Sequence, residues 1–323
     1  MSDMRFRPLG DSGLMVSVVG VGCNAFGARI DAEQTQLVVN AALDHGITLF
    51  DTADSYGDGA SEELLGEALG SRREEVIVAS KFGRGKSQAQ HKGAPGSRWY
   101  VRRAVEASLR RLGTDYLDLY LLHRPDPITP IEETLEAMSE LVREGKVRYI
   151  GSSNFTAWQV TQAEWAARAI GAERFIAAQN EYSLYNRLAE QELVPACEAA
   201  GVGILPYFPL AYGLLTGKYH RNQEAPEGSR LSGSGQAARL AEAKWDRIEA
   251  LQSYAEVRGI SLLQLAIGGL AAQPAVASVI SGVSRPEQIA TNVEAGSWEP
   301  SADDLRALAD LRDEPEFSYT TYA

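Results

Sequence analysis

Cysteine is nearly missing from this chain: Cys23 and Cys197 are the only two in 323 residues, and they stand far apart. Neither a disulfide framework nor a zinc-type spacing can be built from them, and a reducing compartment is expected. Histidine is scarce too. His45, His91, His123 and His220 show no paired ligand spacing, so no metal is expected. Long apolar runs are lacking; the richest, 262–270, is interrupted by Gln264, Gly268 and Gly269, too short a stretch to span a bilayer. Residues 1–10 have no apolar core of signal-peptide length. Basic charge is in deficit, with a formal net charge of −12 and no uninterrupted basic stripe. That balance excludes a general nucleic-acid binder and disfavours an anionic membrane surface. A cytoplasmic protein with neither partner is expected, and oligomeric state is not legible.

What the chain does have is a rhythm. Hydrophobic residues make up 45% of it, enough for a sizeable core. Short β-branched runs at 16–21, 47–50, 76–80, 116–122, 147–151, 175–178, 202–206 and 276–280 read as strands. Between them, 32–43, 62–69, 98–111, 131–143, 157–169, 188–200 and the pair 237–258 and 262–272 read as helices. Ser61 is the expected N-cap of the second helix, and Gly46, Gly70, Gly145 and Gly201 stand at helix stops. A helix over 286–295 closes the cycle, and 302–312 adds a C-terminal helix. Eight strand–helix repeats indicate a (β/α)8 TIM barrel, taken as one domain over 1–323. The open doubly wound alternative lacks its fingerprint, since Gly20-Val21-Gly22 has no third glycine at the required offset. Two long strand-to-helix loops, 82–97 and 211–236, should rim one mouth of the barrel.

Four polar residues fall at or just past the ends of successive strands: Asp51, Tyr56, Lys81 and His123. In a parallel barrel such residues converge at one rim. A tyrosine ordinarily holds its proton to about pH 10, and a neighbouring ammonium lowers that by stabilising the phenolate. Lys81 can supply the ammonium, and Asp51 can hold Lys81 charged and oriented. His123 can hydrogen-bond a substrate oxygen. Each residue alone has a bland reading as a turn cap, a packed ring, an exposed charge or a rim imidazole. Their joint placement favours a general acid/base site with neither metal nor covalent nucleophile.

The local sequences sharpen this. Residues 50–57 (FDTADSYG), 79–83 (ASKFG), 118–123 (DLYLLH) and 150–155 (IGSSNF) resemble signatures of the aldo-keto reductases, in the right order, with similarity from Leu9 through Asn292. The resemblance extends to the branch that includes potassium-channel β-subunits. It implies NAD(P)-dependent reduction of aldehydes or ketones: Tyr56 donates the proton, Lys81 and Asp51 tune it, and His123 orients the carbonyl. It implies further that Ser153, Asn154 and Gln179 bind the nicotinamide carboxamide, and that Tyr207 stacks on the ring. The segment holding Leu210, Gly213, Leu215, Gly217 and Lys218 resembles the family loop that folds over the pyrophosphate.

After the last strand, Gly282, Ser284, Arg285, Gln288 and Asn292 occupy the stretch that the resemblance assigns to the adenosine end. Arg285 and Ser284 there favour a 2′-phosphate, hence NADP(H) over NAD(H), on the N-terminus of a helix. Many relatives carry a lysine where this chain has Gly282, and an acid where it has Thr291. Two alternatives stay open: a sugar or alcohol dehydrogenase working oxidatively, and a nucleotide-sensing regulatory subunit. The substrate itself is not legible. The loops 23–30, 56–59 and 82–97 and the tail 314–323 should shape its pocket. Phe26, Trp99 and Phe208 are candidates either for its lining or for simple packing. The cationic face of helix 98–111 and the basic residues Arg143 and Lys146 read as solvated structure.

Overall fold

The computed structural model describes residues 4–84, 93–233 and 236–311. Two short strands, β1 (Phe6–Pro8) and β2 (Met15–Ser17), form an antiparallel hairpin. The chain then winds through eight parallel strands: β3 (Val19–Gly22), β4 (Leu49–Asp51), β5 (Ile77–Phe82), β6 (Leu117–Leu122), β7 (Val147–Ser153), β8 (Phe175–Gln179), β9 (Gly203–Ile204) and β10 (Val279–Gly282). Their order is β10-β3-β4-β5-β6-β7-β8-β9. Closure comes from the segments around β9 and β10. Ile204 donates to the Ala275 carbonyl at 2.7 Å, Ala277 donates back to Ile204 at 2.9 Å, and Ile280 donates to Pro206 at 3.1 Å. This is the expected (β/α)8 barrel.

The outer layer is α1 (Ala32–Asp44), α2 (Ala60–Leu69), α3 (Arg98–Leu112), α4 (Ile131–Arg143), α5 (Ala157–Ile170), α6 (Leu193–Ala200), α7 (Ala237–Ala241), α8 (Trp245–Val257), α9 (Leu262–Ala271) and α10 (Pro286–Gly296), with α11 (Ala302–Asp310) beyond it. Among the described residues, no helix is long and apolar enough to cross a membrane.

Side-chain alternation along the strands builds two cores. Phe50, Val78, Tyr120, Leu122 and Ala178 face the helices. Leu49, Ala79, Leu119, Leu121 and Ala177 fill the barrel interior, where Leu9 and Val16 of the hairpin join them from one end. Space inside is tight at Gly151, where a Cβ would stand 2.6 Å from both the Ala177 carbonyl and the Leu121 side chain. The hairpin is the main departure from the sequence reading, which took 16–21 as one barrel strand. The buried Ser17 hydroxyl donates to the Val19 carbonyl and accepts from Thr48 N–H, turning the chain from hairpin into barrel.

Other departures are local. Residues 188–200 form a 3-10 turn (Leu188–Glu190) and then α6, and 237–258 split into α7 and α8. The last strand runs Val279–Gly282 rather than from 276. Ser61 does not cap α2. Gly59, in a left-handed conformation, begins that helix, and the buried Ser61 hydroxyl donates to the Cys23 carbonyl instead.

Candidate active site

The interior parity that places Leu49, Ala79 and Leu121 inside the barrel continues one step to Asp51, Lys81 and His123. These three side chains therefore point into the mouth from β4, β5 and the residue after β6. Tyr56 arrives by a different route. After β4 the chain stays beside β5, with Thr52 N–H bonded to the Ala79 carbonyl and Asp54 N–H to that of Lys81. A 3-10 turn (Tyr56–Gly59) follows, in which Gly57, Asp58 and Gly59 all have positive φ. Gly59 is required there, since a Cβ would meet the Arg111 side chain at 2.7 Å.

Lys81 is fully buried, with its ammonium 2.7 and 2.8 Å from the two Asp51 carboxylate oxygens. It donates also to the Thr52 carbonyl at 2.8 Å and to the Tyr56 phenol oxygen at 3.1 Å. Burial works against the ammonium, but Asp51 and Tyr56 outweigh it and raise the Lys81 pKa. Tyr56 departs from expectation. Burial lifts its phenol above the ordinary value and Asp51 adds to the rise, while Lys81 only partly offsets them. Tyr56 thus holds its proton more firmly here than in water, with Lys81 poised on its oxygen.

His123 is buried, and its ring meets Tyr56 edge-on at 6.0 Å and 84°. Its Nδ1 has no hydrogen-bond partner among the described residues. Burial, then Lys81, Arg84 and Arg124, lower its pKa to about 2, so the imidazole is neutral and is available as a hydrogen-bonding group.

The residues of the cofactor half form one network with the first half. Asn154, at positive φ after β7, donates to the His123 carbonyl at 2.9 Å and to the Ser153 hydroxyl at 3.0 Å. It accepts from the Tyr207 hydroxyl at 2.7 Å. Ser153 donates to the Gln179 carbonyl at 2.9 Å, and the Gln179 amide donates to Asp51 at 2.8 Å. A continuous chain of hydrogen bonds thus runs from Tyr207 to Tyr56. Gln179, expected only as a carboxamide ligand, also braces Asp51.

Beyond β9 the backbone is unusual. Phe208, Ala211, Tyr212 and Gly213 all have positive φ, within a segment whose last residues form a 3-10 turn (Ala211–Thr216). Non-glycine residues held there cost free energy, and such strain concentrates at ligand sites. Gly217 also has positive φ, and Lys218 folds over the Tyr219 ring at 5.1 Å. Leu210 is half-buried. Leu215 is fully buried in the core, and its N–H is bonded to the Leu210 carbonyl.

Gly282 ends β10 exposed, and Arg285 is exposed at the start of α10. The Gln288 side-chain oxygen accepts from the N–H groups of Ser284 and Arg285 at 2.8 and 3.1 Å, and Asn292 is buried. Of the residues considered for the pocket, Phe26 is fully buried packing, and the tail 314–323 lies outside the described residues.

Three residues under the site carried no signal in the sequence. The fully buried Glu62 accepts from Ser80 at 2.5 Å and from Arg111 at 2.6 Å. Arg111 is therefore a structural counter-ion and not part of a solvated face. Asp54 sits beside this pair, with one carboxylate oxygen unpartnered among the described residues. Burial, then the Glu62 charge, raise its pKa to about 7. An acid whose pKa is raised by folding loses stability as pH climbs from its unfolded value near 4 through 7. Asp54→Asn should therefore raise stability at pH 8 by on the order of 1–2 kcal/mol and have little effect near pH 4. Urea denaturation at the two pH values checks this; an equal effect at both would remove Asp54 as the titrating group.

A lysine-bound tyrosine at a barrel mouth is an arrangement that can move a proton, and similarity places the chain in a family. The Aldo/keto reductase family profile matches residues 18–313. A probable voltage-gated potassium channel subunit beta of Arabidopsis thaliana is 36% identical over 301 residues, covering 90% of this chain and 91% of that protein. Probable aldo-keto reductase 1 of Glycine max is 37% identical over 322 residues, 95% and 89% of the two chains. The L-glyceraldehyde 3-phosphate reductase of Escherichia coli (strain K12) is 34% identical over 306 residues, 90% and 87%. The chain belongs to the aldo/keto reductase family and is an NAD(P)H-dependent oxidoreductase.

Proposed function

We propose that the chain, as a single (β/α)8 domain, reduces aldehyde or ketone carbonyls to alcohols with NADP(H), and that Tyr56 is the proton donor. The observation that carries this reading is the buried Lys81 ammonium 3.1 Å from the Tyr56 oxygen and salt-bridged to Asp51. The nicotinamide supplies hydride when bound. Tyr56 gives its proton to the oxygen of the reacting carbonyl, and Lys81 stabilises the phenolate left behind. Asp51, braced by Gln179, holds Lys81 charged and in place. The neutral His123 donates a hydrogen bond to the same oxygen without competing as an acid. In the oxidative direction Tyr56 acts as the base.

The fit of a dinucleotide rests on the same kind of observation. Ser153, Asn154 and Gln179 present amide and hydroxyl groups for the carboxamide, and Tyr207 offers a ring face. The strained segment 208–213, with Gly213, Gly217 and Lys218, suits a pyrophosphate through backbone N–H groups and charge. Leu210 borders that segment, and the buried Leu215 supports it from below. Gly282, Ser284, Arg285, Gln288 and Asn292 would hold the adenosine end.

Oxidation of NADPH across a panel of aldehydes and ketones, with NADH in parallel, tests the reading; no turnover with any carbonyl would sink it. Arg285→Ala should raise the Kd for NADPH by about tenfold, as expected for one charge-assisted contact, and change that for NADH little. Equal losses for both would take Arg285 out of the phosphate site.

A further inference from the structure

Strand ends deliver Asp51, Lys81 and His123 to the mouth, but Tyr56 hangs on a turn. That turn carries three successive positive φ values, 58° at Gly57, 55° at Asp58 and 100° at Gly59. Left-handed backbone is costly at a residue with a side chain such as Asp58, and it persists only where the surroundings fix it. The turn must therefore be held from outside for the Tyr56 oxygen to stay 3.1 Å from the Lys81 ammonium.

Both ends of the segment are tied to the strand that carries the lysine. At the near end, Asp54 N–H donates to the Lys81 carbonyl at 3.0 Å. At the far end, Glu62 lies fully buried in the first turn of α2 and accepts from the Ser80 hydroxyl at 2.5 Å. Ser80 precedes Lys81 on β5 and has the opposite parity, so Glu62 grips the helix-facing side of the strand directly behind the lysine. Arg111 of α3 closes the clamp. Its Nε donates to the other Glu62 oxygen at 2.6 Å, and its stem lies against Gly59, where an added Cβ would meet it at 2.7 Å. The Ser61 hydroxyl donates to the Cys23 carbonyl and bonds the Thr52 hydroxyl, each at 2.8 Å, which fixes the residue beside Glu62 as well.

Stability alone is a poor reason for such a pair. Packed apolar side chains commonly match or better a buried ion pair. What the pair adds is a fixed direction and distance, and here these run from the strand of Lys81 to the turn of Tyr56.

We propose that Glu62, held by Arg111, is a positioning residue for proton transfer: it tethers the Tyr56 turn to Ser80 and so sets the contact between the Tyr56 oxygen and the Lys81 ammonium. This rests on the reading of Tyr56 as proton donor. Glu62 is fully buried and acts only through the turn.

The test uses the carbonyl of the panel above that turns over fastest, and the alcohol formed from it, with wild type, Glu62→Gln and Ser80→Ala. Glu62→Gln removes the charge that holds Arg111. Ser80→Ala loosens the tether with every charge in place, and decides alone should Glu62→Gln not fold. A misplacement of about 1 Å can cost on the order of a hundredfold in rate. The kcat for reduction should therefore fall by about tenfold or more in Glu62→Gln and by less in Ser80→Ala, while the carbonyl KM and the NADPH Kd change little. The pH profile of alcohol oxidation separates positioning from general loosening. Burial raises the Tyr56 pKa and Lys81 draws it back down, so a longer contact should move the rising limb of kcat, which follows the phenolate, to higher pH in both variants. Asp51, Cys23 and His123, the other titratable groups facing Tyr56, are unchanged in both. Ser80→Ala also preserves the Glu62 charge that acts on Asp54. An unmoved limb in Ser80→Ala, or a fall in kcat matched by equal losses in KM and Kd, overturns the proposal and leaves Tyr56 as donor. Full turnover by Tyr56→Phe overturns the donor reading and the proposal with it.

Discussion

Tyr56→Phe is expected to lower turnover by about 10²–10⁴-fold, the range for removing a positioned general acid, while NADPH binding stays near its wild-type Kd. Only the hydroxyl is lost. The ring keeps its edge-on contact with His123 at 6.0 Å and stays beneath the Lys81 ammonium, 4.7 Å from its centroid. Lys81 retains Asp51 and the Thr52 carbonyl, so the buried charge is still compensated. Neither His123, neutral with a pKa near 2, nor Asp51, salt-bridged to Lys81, can replace the lost proton. Steady-state NADPH oxidation gives the rate, and cofactor fluorescence titration gives the Kd. A variant that keeps more than a few per cent of the wild-type rate would remove Tyr56 as donor.

The part of the site that the sequence displayed is the part that strand periodicity controls. Asp51, Lys81 and His123 each end an apolar run, and a parallel barrel brings strand ends together whatever the loops do. Ser153 and Gln179 share that inward parity, so their convergence follows as well. What the sequence could not display depends on partners far along the chain. The bond from Gln179 to Asp51 spans 128 residues, and that from Arg111 to Glu62 spans 49. A charge read on its own helix looks solvated until its partner is located, which is why Arg111 was assigned to a solvated face. The hairpin was hidden for a related reason. The β-branched run over 16–21 is interrupted only by the small residues Ser17 and Gly20, and the bonds of the Ser17 hydroxyl to Val19 and Thr48 mark where it divides. Tyr56 is intermediate: no strand delivers it, and its position depends on three successive positive-φ residues that only local glycines hinted at.

Lys81→Met should be costly, and for two separable reasons. Turnover falls because Tyr56 loses the charge that stabilises its phenolate. Stability falls because Asp51, buried at the barrel mouth, keeps only neutral donors such as the Gln179 amide. Removing one partner of a buried ion pair costs about 3–5 kcal/mol, since the remaining charge is left without compensation. That cost depends on pH. The stranded carboxylate takes a folded-state pKa above its unfolded value near 4, so the destabilisation is largest in alkaline buffer and shrinks as pH falls towards 4. Asp51→Asn in the Lys81→Met background removes the stranded charge and should recover much of the stability without restoring turnover. Chemical denaturation at pH 8 and pH 5, for the two single variants and the double variant, closes the cycle. Additive losses in that cycle would mean the two side chains are not coupled. A recovery of turnover in the double variant would show that Lys81 acts only to neutralise Asp51 and has no part in tuning Tyr56.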